Sequence, residues 1–114
     1  MPIQTVTQRN TLATSYGTAA THGAIYTTAP GATAGTEPTG GSPAYARKPL
    51  SWSAASASAV TVAPVFDVPS GATIVGAGVH SAVTAGTYLD GVAVTSQAFS
   101  SQGTLTVTFT YTQS

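Results

Sequence analysis

"TLTVTFTYT", residues 104–112, is the most regular stretch of the sequence and decides the fold class. Its apolar positions are Leu105, Val107, Phe109 and Tyr111, and every position between them is a threonine. A period of two in β-branched and aromatic residues predicts a strand with one buried face and one threonine-covered face. Such a strand is typical of an antiparallel sheet that has one face toward water.

Further short segments with β propensity precede it, separated by Gly, Pro and Asp turns. They are Ala59 to Val68, with a break, edge or bulge at Pro64; Thr73 to His80, with a bulge or close packing at Gly76 and Gly78; and Thr87 to Leu89 with Val92 to Phe99, joined by a tight turn at Asp90-Gly91. Strands that recur about every ten residues predict a small antiparallel β-sandwich or barrel-like module.

The N-terminal region offers the one helical pattern. Leu12 and Tyr16 lie four apart within Thr7 to Tyr16, and Gly17 is expected to end that helix. Ile3 to Val6 would form an arm or an edge strand. The expected organisation is therefore an arm with a short helix over residues 1–20 and a β-sandwich domain over residues 21–114.

Composition limits the functional classes. Ala, Thr, Ser and Gly supply 65 of the 114 residues, the net charge is zero and cysteine is absent, which excludes disulfides and thiolate chemistry. Three basic residues are too few to neutralise many phosphates, so no nucleic-acid partner is expected. No apolar run approaches the length of a membrane span, so no membrane insertion is expected.

Ala29 to Ser42 is a long Gly/Pro-rich segment without a large apolar residue. A loop of this length in a compact domain is either functional or mobile. We expect the loop itself to be free, while Trp52 anchors the sequence that follows it in the core.

Catalytic chemistry finds little support in the sequence. Glu37 lies in the flexible loop, Asp67 lies close to a turn proline, and Asp90 occupies a predicted turn, where Asp is favoured for structural reasons. His22 and His80 lack the spacing of metal ligands. We therefore expect no enzymatic activity, no cofactor and no metal; a small hydrolase is the least favoured class.

The segment after the loop supports a binding hypothesis. Tyr45, Arg47, Lys48 and Trp52 form an aromatic and basic cluster that could stack on a sugar or pair with a partner's carboxylate. The alternative is that Tyr45 and Trp52 fill the core while the two charges are solvated or pair with Glu37. With Tyr88, these residues are the candidate partner or glycan contacts.

The low charge is a second indication. Charged residues make up 5% of the chain, against about a quarter in an ordinary soluble domain. A surface of short uncharged side chains costs little side-chain entropy and little charge desolvation to bury. It therefore suits a subunit that packs against copies or neighbours.

Several motifs also resemble a known family. They are Thr21 to Gly31, Thr36-Glu37, Gly40 to Lys48, Ser51-Trp52, Phe66 to Thr73 and Gly86 to Tyr88, within roughly residues 12 to 95. Together they resemble small virion proteins of tailed bacteriophages, which are commonly labelled tail fibre or minor tail proteins, while some similar β modules decorate capsids.

The resemblance implies a structural virion protein, assembled in the bacterial host cytoplasm, that forms a multi-copy surface subunit of the tail or capsid. Its partners would be other virion proteins, from the tail or the major capsid protein, and further copies of itself. It also implies that Arg47 fixes the base of the loop or a neighbouring subunit. The alternative function is a carbohydrate-binding module that recognises host cell-surface glycan through Tyr45, Trp52 or Tyr88.

Overall fold

The computed structural model describes residues 3–113, which form one helix and eight strands. In chain order they are α1 (Val6–Ala19), β1 (His22–Tyr26), β2 (Lys48–Pro49), β3 (Ala59–Val62), β4 (Val65–Val68), β5 (Thr73–His80), β6 (Tyr88–Ala98), β7 (Gly103–Thr106) and β8 (Phe109–Thr112). All strand pairs are antiparallel. The prediction of a small all-β module with one short helix is confirmed.

The larger layer is a four-stranded sheet in the order β2-β1-β5-β6. Strand β5 has the predicted bounds, and the predicted bulge near Gly76 is confirmed by a register shift between Ile74 and Gly76. The turn before it is also confirmed, because Gly71 adopts φ +84° and the Ala72 amide donates to the Pro69 carbonyl at 3.3 Å. Glycine suits this left-handed conformation because it has no Cβ.

The second layer is a ladder in which β3 pairs with β8 and β4 pairs with β7. Val62 is opposite Phe109 and Val65 is opposite Thr106. Three residues therefore separate the two pairs on each side of the ladder, and the register does not slip. The ladder is interrupted at Pro64, which has no amide proton to donate. The interruption at Pro64 was expected, but the predicted continuous strand over residues 104–112 is divided into β7 and β8.

The alternation that defined this stretch is nevertheless confirmed. Its apolar side chains are partly buried and its threonines are exposed. The core lies between the two layers and centres on five buried residues: Ile25, Phe66, Val68, Ile74 and Ala77. Leu105, Val107 and Phe109 pack against that cluster.

The predicted hairpin turn at Asp90-Gly91 is wrong, because β6 runs through both residues without turning. The chain reverses earlier, in the bend over residues 81–86, where Ala85 and Gly86 adopt positive φ. Gly91 instead allows Tyr88 and the backbone of β5 to lie close to β6. A Cβ there would lie 2.4 Å from the Tyr88 hydroxyl and 3.1 Å from the Ala77 carbonyl.

The helix also differs from its predicted bounds. It begins after Thr5, whose side chain accepts from the Gln8 amide at 3.3 Å, as expected of an N-cap. It continues through Gly17 to Ala19, so the predicted end at Gly17 is wrong. Residues 3–5 are not a strand. Gly17 contacts the ring of Trp52, where an added Cβ would lie 3.1 Å from Cγ.

Candidate functional site

Arg47, immediately before β2, joins two loops of the molecule. Its Nε and Nη2 donate to the two carboxylate oxygens of Glu37 at 3.0 and 2.8 Å. Its Nη1 donates to the carbonyls of Ala82 at 3.1 Å and Ala85 at 2.8 Å. Glu37 lies in the long loop and the two alanines lie between β5 and β6, so one guanidinium fastens both loops. The bidentate geometry is the strong form of a charge-assisted pair.

Glu37 is held as an anion by its neighbours. Burial alone would raise the pKa of Glu37, but hydrogen bonds from Arg47 and Tyr45 outweigh burial and hold that pKa below its ordinary value. The bond to Glu37 correspondingly raises the pKa of Arg47. The Tyr45 hydroxyl donates to Glu37 at 2.7 Å and accepts from the Ile25 amide at 3.3 Å.

The outer face of the four-stranded sheet, away from the core, holds a buried Tyr-His pair. Tyr26 is fully buried, His80 is 3% exposed, and the tyrosine hydroxyl lies 2.6 Å from His80 Nε2. Burial first, and then Arg47, lower the pKa of His80, so the neutral imidazole is favoured. The Tyr26 hydroxyl can therefore donate to it.

Two glycines of β5 make room for these groups. A Cβ on Gly78 would lie 2.6 Å from the Tyr26 hydroxyl, and a Cβ on Gly76 would lie 2.3 Å from Pro30 Cδ. The close packing predicted at these glycines is confirmed, and it brings Pro30, from the long loop, onto the sheet.

The expectation that the Ala29 to Ser42 loop is free is therefore wrong. Besides the bonds at Glu37, the Tyr88 hydroxyl donates to the Gly31 carbonyl at 2.8 Å, and the Thr27 amide donates to the Thr36 carbonyl at 2.7 Å. Pro38 is buried. We call the group formed by Tyr26, Glu37, Tyr45, Arg47, His80 and Tyr88 the polar cluster.

Lys48 is separate from the polar cluster. Its ammonium nitrogen lies 3.0 Å from Asp67 Oδ2, which ties β2 in the first layer to β4 in the second. Both side chains keep substantial exposure, at 32% and 22%. A pair of this kind contributes little net stability.

Trp52 lies against the helix on the other side of the molecule. Its indole nitrogen donates to the Ala20 carbonyl at 2.8 Å, and its ring meets Tyr16 edge-on with a centroid separation of 5.8 Å. Tyr16 in turn stacks on Tyr111 at 3.9 Å with the rings 7° from parallel. Three aromatic rings from α1, the segment after β2, and β8 therefore form one row.

This row forms a wall of a groove of about 360 Å³. The opposite wall is β5 and β6, with Val79, Asp90 and Val92 among its residues, and Thr108 to Tyr111 contribute from the second layer. We call this cavity the aromatic groove. Its volume falls within the range of small-molecule sites.

Electrostatics distinguish Asp90 from the other acids. Glu37 pairs with Arg47 and Asp67 pairs with Lys48, whereas no ion pair involves Asp90 within residues 3–113. Its Oδ1 accepts from the Gly91 amide at 2.9 Å, and its Oδ2 lies 3.4 Å from the Tyr16 hydroxyl. Burial and then Asp90 raise the pKa of Tyr16, so that hydroxyl stays protonated as a donor.

The structure thus places the sequence-predicted contact residues at three locations. Tyr45, Arg47 and Tyr88 belong to the polar cluster, Lys48 bridges the two layers, and Trp52 lines the aromatic groove. Tyr45 also packs against the core, which was one of the two alternatives for this residue in the sequence analysis.

Sequence reasoning missed the groove residues Tyr16, Asp90 and Tyr111 as a group. Tyr16 and Tyr111 carry the helical and strand patterns, but no local signal connects residues so far apart in the chain.

Residues 3–113 contain no cluster of three His, Asp or Glu side chains suited to a metal, and the helix found there is too short and too polar to span a membrane. Comparison of the chain with protein-family models, with curated proteins and with solved structures gives no significant match.

Proposed function

We propose that the protein is a structural subunit of a tailed-bacteriophage virion, present in several copies on the tail or capsid surface and acting through protein contacts without chemistry. The motifs that resemble phage virion proteins motivate this proposal. Its partners are further copies of the chain and a neighbouring tail or major capsid protein, and its location is the virion.

The observation that carries the proposal is the outer surface of the second layer. Thr104, Thr106, Thr108, Thr110 and Thr112 are all exposed along one row, and the opposing row contributes Thr61, Ala63 and Val65. We call this surface the threonine face. Val65 is 50% exposed, which is high for a valine next to the core strand residue Phe66.

The threonine face suits a permanent contact for a physical reason. Short β-branched side chains lose little rotamer freedom when they are covered. The face carries no charge except Asp67 at its end, which Lys48 already neutralises. Covering it therefore leaves no charge to desolvate without a partner.

The edge of β6 is a weaker candidate for assembly. It spans eleven residues and bears a single charge, which would favour pairing with another strand. However, its register against β5 shifts twice, between Ile74 and Gly76 and between Val79 and His80. Such irregularities disturb the even row of hydrogen-bonding groups that an added strand requires.

Immunogold electron microscopy of intact virions, with antibody raised against the purified protein, tests the proposal directly. Label over the head would assign a capsid-decorating role, and label on the tail would assign a tail component. Absence of label, together with absence of the protein from dissolved particles, would refute the virion role.

A variant pair tests the threonine face. Thr106→Lys places a charge within it, opposite Val65, and Thr84→Lys places the same charge in the exposed loop between β5 and β6. Phage carrying Thr106→Lys should incorporate less of the protein than phage carrying Thr84→Lys, while both purified variants melt like the parent. Equal incorporation of the two would remove the threonine face from the proposal.

The glycan-binding alternative receives less support at Tyr45 and Tyr88. Both hydroxyls are engaged within the molecule, with Glu37 and with Gly31, and Tyr45 is half-buried. Trp52 lies elsewhere, in the aromatic groove, so the three residues do not present one binding surface.

A further inference from the structure

The aromatic groove is a cavity whose aromatic rings and whose carboxylate, Asp90, lie outside the threonine face. We propose that it is a binding site for a neutral saccharide, with Tyr16, Trp52 and Tyr111 forming its aromatic wall and Asp90 accepting sugar hydroxyls. Thr108 and Thr110 border both this groove and the threonine face, but the four residues that carry the present proposal lie outside the threonine face, so the two proposals are tested by different variants.

The walls match the two-sided chemistry of a sugar ring. Aromatic faces carry partial negative charge, so the Trp52 ring, which is not stacked on another ring within residues 3–113, attracts the weakly positive C–H groups on the apolar side of a pyranose. The opposite wall offers hydrogen-bonding groups, since Asp90 and Gly91 lie on β6, the edge strand of its sheet. A ligand that is apolar on one side and hydroxylated at its rim therefore fits between the two walls.

Asp90 has a free acceptor. Its Oδ1 is engaged by the Gly91 amide at 2.9 Å, but its Oδ2 has only the long contact of 3.4 Å from the Tyr16 hydroxyl. A carboxylate oxygen has more than one acceptor site, and hydrogen bonds to charged acceptors are stronger than neutral ones. Two adjacent sugar hydroxyls could therefore donate to this carboxylate without displacing an ion pair.

The ring geometry distinguishes a sugar from an organic cation. A cation site needs aromatic rings arranged around the charge, but Tyr16 and Tyr111 lie parallel against each other at 3.9 Å and do not surround one. Trp52 and Tyr16 meet edge-on with their rings 81° apart, so the three rings form a row and do not enclose a volume. An anionic ligand is disfavoured because no ion pair neutralises Asp90 in the part of the chain that the structure describes.

The protein contains its own reporter for this site. Trp52 is the single tryptophan of the chain and lines the groove. Its indole nitrogen is already bonded to Ala20, so its ring, and not its N–H group, would contact a ligand. Occupancy of the groove should therefore change the emission of this residue.

The test is a titration of the full-length protein with glucose, galactose, N-acetylglucosamine and the N-acetylglucosamine trisaccharide, followed by Trp52 fluorescence. We expect a saturable change with at least one of them in the millimolar range. Asp90→Asn should weaken that binding about tenfold, since a charged acceptor becomes a neutral one. Asp67→Asn, which removes a carboxylate outside the groove, should bind like the parent.

Folding and competing occupants are controlled within the same experiment. Circular dichroism should show that Asp90→Asn folds like the parent, because Asp90 is exposed and asparagine can still accept from Gly91. The proposal is overturned if no saccharide gives a saturable change in fluorescence and in amide NMR shifts, or if Asp90→Asn binds as tightly as the parent. It is also overturned if choline binds more tightly than every saccharide, or if emission changes with protein concentration alone because a second copy fills the groove.

Discussion

The two faces of the β1–β5 strand pair are both covered, but by opposite kinds of chemistry. On the inner face, Ile25 and Ala77 are opposite each other in the register and join an apolar core. One residue further along β1, on the outer face, the Tyr26 hydroxyl bonds to His80 near the ion pair of Arg47 with Glu37. The same two strands therefore support a core held by packing and a cluster held by directional bonds.

The difference shows what each kind of burial requires. Apolar burial depends on filled volume and tolerates changes of shape that preserve it. Polar burial requires that every donor and acceptor finds a partner, and within residues 3–113 no buried side-chain nitrogen or oxygen lacks one. We therefore expect the inner face to respond to lost volume and the outer face to the loss of single bonds.

Phe66→Ala should produce the largest loss of stability. Phe66 is fully buried at the centre of the inner core, so truncation removes apolar contacts and leaves a cavity, at a cost of about 3 to 5 kcal/mol in the free energy of unfolding. Urea denaturation measures it. The neighbouring Val65→Ala, on a half-exposed side chain, is the control and should cost under about 1 kcal/mol. Equal losses for the two would contradict the assigned core.

Arg47→Ala should be the most damaging single change in the polar cluster. It removes four hydrogen bonds and leaves Glu37 without its counter-charge, so we expect a loss of about 2 to 3 kcal/mol. Arg47→Lys keeps the charge but not the bidentate geometry and should fall between the parent and Arg47→Ala. Urea denaturation measures these losses. If Arg47→Ala were as stable as the parent, the two loops would be held without Arg47.

Acidification should weaken the outer face in two steps. His80 has a lowered pKa when folded, so as the pH falls through about 6.5 the unfolded chain takes up a proton before the folded protein does, and stability decreases. Glu37 also has a lowered pKa, so its contribution is present above its ordinary pKa and is lost as the pH falls further.

Thermal melting between pH 8 and pH 5 measures the first step. The variant His80→Gln tests whether His80 is the group that titrates. The variant should be less stable at pH 8 but should lose less stability on acidification than the parent does. If parent and variant have parallel pH profiles, His80 is not the titrating group.

Lys48→Ala should have the smallest effect. Both side chains of its pair with Asp67 keep partial contact with solvent, so the loss should be within about 1 kcal/mol. Lys48→Ala and Arg47→Ala are compared by urea denaturation, because each removes one cation and the two residues are adjacent in the chain. A loss as large as that of Arg47→Ala would show that the junction of the two layers depends on this pair.

Local pattern predicted the strands where burial alternates along the chain. The two faces of residues 104–112 follow from period two, and the interruption at Pro64 follows from its missing donor. Strand β5 followed from the Gly/Pro turn before it, since its own burial does not alternate. The turn predicted at Asp90-Gly91 was wrong, although the pair favours a turn when it is considered alone. A glycine is needed at position 91 because a Cβ there would crowd the Tyr88 hydroxyl and Pro30. Pro30 belongs to a loop that is distant in sequence.

The polar cluster and the groove were less accessible from the sequence. The pairing of Arg47 with Glu37 was one of the alternatives that the sequence leaves open, since the two residues are ten apart and of opposite charge. His80 and Tyr26 are joined only through the register of β1 on β5, and Tyr16, Asp90 and Tyr111 are joined only when the two layers and the helix pack. Such sites depend on tertiary contacts, which no local period encodes.

The unbroken register of the second layer has a consequence for synthesis. Phe66 and Val68 on β4 pair with β7, which begins 35 residues after Val68, at Gly103. At about 5 to 20 residues per second, a ribosome needs roughly 2 to 7 s to make the intervening chain. During that interval these core side chains have no partner strand, so the second layer can close only after β7 and β8 have been made.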